Sequence, residues 1–167
     1  MKIPSGILSV FVTISFLSCE KTSLNKDGNG AWRLAGGTIN ESYSISSLSR
    51  QNGSYFILSG FDSKSPANSL NVYFSKEPKS SGKFNVVNFE DDVILSDDQV
   101  GIRSNVPTSG LYSSTGISDN ITWNKASPID VTVNGGKVKV AIPKMTTIII
   151  TPTYLDSVFL EGTISEY

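Results

Sequence analysis

The stretch Ile129-Asp130-Val131-Thr132-Val133-Asn134-Gly135-Gly136-Lys137-Val138-Lys139-Val140-Ala141-Ile142 decides the fold class. Ile129, Val131 and Val133 alternate with Asp130 and Thr132, and beyond the glycines Val138, Val140 and Ile142 alternate with Lys137, Lys139 and Ala141. A period of two sends successive side chains to opposite faces of a strand, so each arm has one apolar face and one wet face. Asn-Gly or Gly-Gly between the arms can take positive φ at both turn positions, as a two-residue hairpin demands. A loop at Asn134-Gly135 or at Gly135-Gly136 keeps the valines on a common face, so parity leaves the register open.

The same grammar extends outward. Ser54 to Phe61 is dense in β-formers, and Leu70, Val72 and Phe74 alternate with Asn71 and Tyr73. A turn from Glu77 to Gly82 leads into a strand from Lys83 to Asn88; Ser96–Ser104 and Gly110–Thr115 are weaker strands, and Thr146–Thr151 and Val158–Ser165 complete the set. No segment of about ten residues carries helical spacing with caps outside the N-terminus. Short strands separated by turn chemistry predict an all-β domain, an antiparallel β-sandwich of about 8–9 strands, with a lipocalin-like β-barrel as the alternative.

At the other end, Lys2 precedes an apolar run from Ile7 to Leu17, and Ser18 leads into Cys19, the one cysteine of the chain. The run is too short to cross a bilayer and reads as a secretory signal. This divides the chain into a signal (residues 1–18), a polar tether (19–30) and a single domain (31–167).

Composition narrows the chemistry. The 167 residues include no histidine, and 14 basic residues against 15 acidic ones give a net charge of −1. Without imidazole there is no Ser-His or Cys-His dyad, and any metal site would need hard oxygen ligands. Without a basic stripe, nucleic acid is a poor partner. No cofactor is expected.

Two groups of residues could still carry function. Glu90, Asp91 and Asp92, with Asp97 and Asp98, flank the apolar triplet Val93-Ile94-Leu95 and could offer calcium an oxygen cradle, or a glycosidase-type acid–base pair. Exposed turns collect carboxylates for solvation alone. Trp32 and Trp123 could contact a ligand, although large aromatics ordinarily fill β cores. Trp123 lies in Asn120-Ile121-Thr122-Trp123-Asn124, which reads as a loop edge.

Ser18-Cys19-Glu20-Lys21 after the apolar run resembles a bacterial lipoprotein signal, in which the cysteine becomes the acylated first residue. The whole chain resembles the small lipoproteins of the Bacteroidota that carry all-β domains of unknown function. That resemblance rests also on Trp32 opening the domain, Pro78 with Gly82, the Asn134-Gly135-Gly136-Lys137-Val138 hairpin, and Leu160-Glu161-Gly162-Thr163-Ile164 as closing strand. It implies lipidation of Cys19 and an outer-membrane anchor, and brings no catalytic residues with it. Gly30-Ala31-Trp32 is similar to the Gly-x-Trp of lipocalins, which implies a barrel floored by Trp32 around a small hydrophobic ligand. The leading expectation is a non-catalytic lipoprotein of the cell envelope that binds a protein or glycan partner. A lipocalin-like carrier is the alternative, and a glycan-acting hydrolase stands third.

Overall fold

Among the described residues the chain forms ten strands: β1 (Gly30–Gly36), β2 (Ile39–Asn52), β3 (Phe56–Asp62), β4 (Ser69–Phe74), β5 (Gly82–Val86), β6 (Gln99–Val106), β7 (Leu111–Ser114), β8 (Ile129–Asn134), β9 (Lys137–Ile150) and β10 (Leu155–Ser165). The computed structural model describes residues 29–37, 39–87, 89, 93–107, 111–114, 128–150 and 155–167. The hairpin turns on Gly135 and Gly136, at φ 58° and 78°, with Asn134 opposite Lys137 and Val133 opposite Val138. Of the two registers open to the sequence, the Gly-Gly loop is the one adopted.

All ten strands belong to one sheet, in the order β10-β1-β2-β3-β4-β6-β5-β8-β9-β7. Because β10 pairs with β9 as well as β1, the sheet closes on itself. β7 spans β6 and β9 at the ends away from β5 and β8. Every pairing is antiparallel except β5 with β6. The all-β expectation holds, and the sandwich and barrel expectations meet in a ring of strands around one core.

Bulges make the closure possible. The β2–β3 register shifts between Ile45 and Ser47, and the β9–β10 register shifts between Leu160 and Gly162, where two residues of β9 (Pro143 and Lys144) face one. An extra residue bends its strand and deepens the twist, which lets a long sheet curl round.

Inside the ring, apolar side chains of the described residues form one buried core. Leu34, Leu58, Leu70, Ile102, Val140 and Leu160 are wholly buried, each stabilising the fold by roughly 1.5–3 kcal/mol relative to exposure. A second, smaller layer lies outside. Phe89 packs on the bare Cα of Gly101, its ring 4.5 Å from that of Tyr73 and under the Arg103 guanidinium at 4.8 Å.

One end of the ring is closed electrostatically. Past the β2 bulge, Leu48 and Arg50 lie opposite Gly60 and Leu58 and so face inward. Arg50 forks onto the Glu166 carboxylate, reaches Glu77 Oε1 at 2.8 Å, and donates to the Gly136 carbonyl at 2.6 Å. It thereby ties β2, the β4–β5 connection, the β8–β9 turn and the chain terminus together. Burial pushes the Glu166 carboxyl up, but hydrogen bonds from Arg50 and the Val138 N–H, with the charges of Arg50 and Lys137, outweigh it and leave the carboxyl below its ordinary value.

A carboxyl that is more acidic folded than unfolded stabilises the fold fully above its unfolded pKa, and that stability goes as pH falls through the folded value. The urea midpoint should therefore decline as pH is lowered from 6 toward 2, and Glu166→Gln should flatten the decline. A wild-type midpoint that holds constant over this range would contradict the role given to Glu166.

Candidate functional site

Trp32 sits at the centre of four neighbouring strands. It lies opposite Tyr43 on β2 and Gly162 on β10, and Gly162 lies opposite Ile142 on β9. Residues directly opposite share a face, so this row points into the core. Trp32 is 1 % exposed and stacks on Tyr43, ring centroids 4.7 Å apart and planes inclined by 22°. Tyr43 in turn donates its hydroxyl to Glu41. Among the described residues, the Trp32 indole N–H finds no acceptor. A Cβ on Gly162 would stand 2.8 Å from Trp32 Cβ and 2.7 Å from the Ala31 carbonyl oxygen, so only glycine leaves the indole its place.

The rows on either side of this one face outward and form two ridges. Ser42, Arg33 and Glu161 make one, continued by Pro143 and Lys144 at the β9 bulge. Ser44, Ala31, Thr163, Ala141 and Asp130 make the other. Between them a cleft of about 550 Å3 runs across β2, β1, β10 and β9 to Asp130 on β8. Trp32, Tyr43, Gly162 and Ile142 of the inward row lie between the ridges and also line it.

The charges of the cleft are matched. Arg33 holds Asn40 Oδ1 at 2.8 and 3.2 Å and lies 3.7 Å from Glu161. Asp130 accepts from Lys83 Nζ at 3.0 Å, and Lys144 Nζ stands 4.2 Å from the centre of the Phe159 ring.

The residues singled out by sequence fare differently. Trp32 is a buried core residue, stacked on Tyr43, that also lies along the cleft. Asp97 is an exposed partner of Lys76 and Ser75, and their hydrogen bonds, that of Lys76 first, hold its carboxyl below the ordinary value. Asp98 accepts from Asn85 Nδ2 at 3.2 Å, so the two neighbouring aspartates serve separate contacts. Among the described residues, no three of His, Cys, Asp and Glu gather to hold a metal. Cys19, Glu90, Asp91, Asp92 and Trp123 lie outside the described residues.

Sequence reading missed Arg33, Glu161, Ser44 and Thr163 as a group. They come from three strands, and each by itself is an ordinary outward residue of an alternating segment. No family model matches the chain, and no curated protein or solved structure does either.

Proposed function

We propose that the chain is a membrane-anchored, non-catalytic binding module of the cell envelope, held by acyl chains on Cys19 and meeting its partner through the outer cleft of the strand ring. The observation that carries the binding half is the contrast between a core that the described residues pack inside the ring and a cleft of about 550 Å3 lined by outward residues, a volume typical of ligand sites. The filled interior weighs against a carrier that encloses an apolar molecule. Absence of histidine, and the separate engagements of Asp97 and Asp98, weigh against hydrolysis.

The anchoring half rests on Lys2, the apolar run from Ile7 to Leu17, and Cys19 after Ser18. On the resemblance to Bacteroidota lipoproteins, the membrane is the outer membrane. Each buried methylene contributes about 0.8 kcal/mol, and two acyl chains make attachment stable without any apolar face on the ring. Cys19→Ala should therefore move the protein from the membrane fraction to the soluble fraction while its circular dichroism stays unchanged. A Cys19→Ala protein that still pelleted with membranes would overturn the anchor.

A further inference from the structure

We infer that the outer cleft takes a neutral, hydroxyl-rich ligand, an uncharged oligosaccharide segment, read by the Arg33–Glu161 pair and the hydroxyls of Ser42, Ser44 and Thr163. This inference rests on the cleft being the binding face, and it adds the class of ligand.

Charge is the first discriminator. Arg33 and Lys144 face Asp130 and Glu161, two cations against two anions, and each already has a partner. The cleft therefore presents no single-sign field to draw in a charged ligand, and a charged group would have to displace an existing contact. A neutral polyol faces neither obstacle, because its hydroxyls can donate to Glu161 and accept from Arg33 while that pair stays closed.

Backbone chemistry is the second. An extended peptide would add to a sheet through unpaired N–H and C=O groups at a strand edge. Along the cleft floor the backbone is already engaged, since β1 pairs on both sides with β2 and β10, and β10 pairs with β1 and β9.

Surface shape is the third. Ala31 and Ala141 put only methyl groups on one ridge and Gly162 puts no side chain between the ridges, so a flat ring can settle its C–H face there beside the hydroxyls of Ser42, Ser44 and Thr163. A wholly apolar ligand would strip water from those hydroxyls and charges without replacing their hydrogen bonds.

The test uses the full-length protein in phosphocholine micelles, a detergent that carries no sugar. Hexasaccharides of glucan, mannan and xylan serve as neutral probes, hexagalacturonate as the anionic one, and a Gly-Ser hexapeptide as the peptide. Calorimetry reads affinity, and amide shifts of Ala31, Ser44 and Thr163 read location. At least one neutral hexasaccharide should bind with Kd on the order of 1 mM or tighter, with shifts centred on those amides. Hexagalacturonate should bind more weakly, and Glu161→Gln should weaken the neutral sugar about tenfold or more. Tighter binding of hexagalacturonate or of the peptide at the same amides would overturn the ligand class while leaving the cleft as the binding face. If no probe of any class moves those amides, the ligand class and the cleft reading both fall.

Discussion

Gly162→Val should abolish cooperative folding. The added side chain would meet the backbone of Ala31 and Trp32 at 2.7 to 2.9 Å, and backbone cannot rotate away as a flexible side chain would. The clash falls where β10 meets β1, one of the joints that close the ring. Overpacking a tight core ordinarily costs about 1–3 kcal/mol per inserted group, and here the alternative to strain is to open the β1–β10 ladder. Gly162→Ala, carrying the Cβ alone, should lower the melting temperature by several degrees, at roughly 2–4 °C per kcal/mol. Thermal melts followed by circular dichroism read both variants. A Gly162→Val protein melting at the wild-type temperature would show that the Trp32–Gly162 fit has been misassigned.

The second large effect concerns the indole itself. Trp32→Ala removes the largest side chain of the core and its stack on Tyr43, and should cost about 3–5 kcal/mol, of which the aromatic contact supplies about 0.5–1.5 kcal/mol. Trp32→Phe should cost far less. It keeps an aromatic against Tyr43 and deletes an N–H that has no acceptor among the described residues, a group whose burial carries a penalty of about 1–3 kcal/mol. Urea unfolding of the two variants separates the contributions. Equal losses in both would mean that the indole N–H is satisfied and that its hydrogen bond matters.

How much of this was legible in the sequence follows from how locally each feature is encoded. The β8–β9 hairpin is written in adjacent residues, as alternation plus two glycines, and its existence was plain while its register was not. β3 and β4 were equally legible, because β-formers crowd them. β2 carries little strand signal: Asn40, Ser42, Ser44 and Ser46 give it a polar outward row, and its inward row is diluted by Glu41 and by the register shift after Ile45. Ring closure was illegible for another reason. It depends on β10, which follows β9 directly and pairs with it, also finding β1 at the far end of the chain, a pairing that no local pattern announces.

The candidate site shows the same divide. Trp32 drew notice as a large aromatic, and the structure gives it a packing role. Arg33, its neighbour, drew none, yet it pairs with Glu161 on the other side of the strand only because Trp32 points inward. Side chains that meet across strands carry no signature within any one of them. Phe89 is similar, since its burial depends on the absence of a Cβ at Gly101 twelve residues further on.

The account turns on a strand ring that is full inside and recognises from outside. Titration of the full-length protein with a fluorescent long-chain fatty acid, followed by energy transfer from tryptophan in a Trp123→Phe background, tests this most directly because Trp32 then remains as the sole donor. A filled ring predicts no saturable signal beyond partition of the probe into the micelle. Saturable one-to-one transfer from Trp32 would show a specific site for an apolar ligand, which neither a packed ring nor a polar outer cleft provides, and would contradict the account.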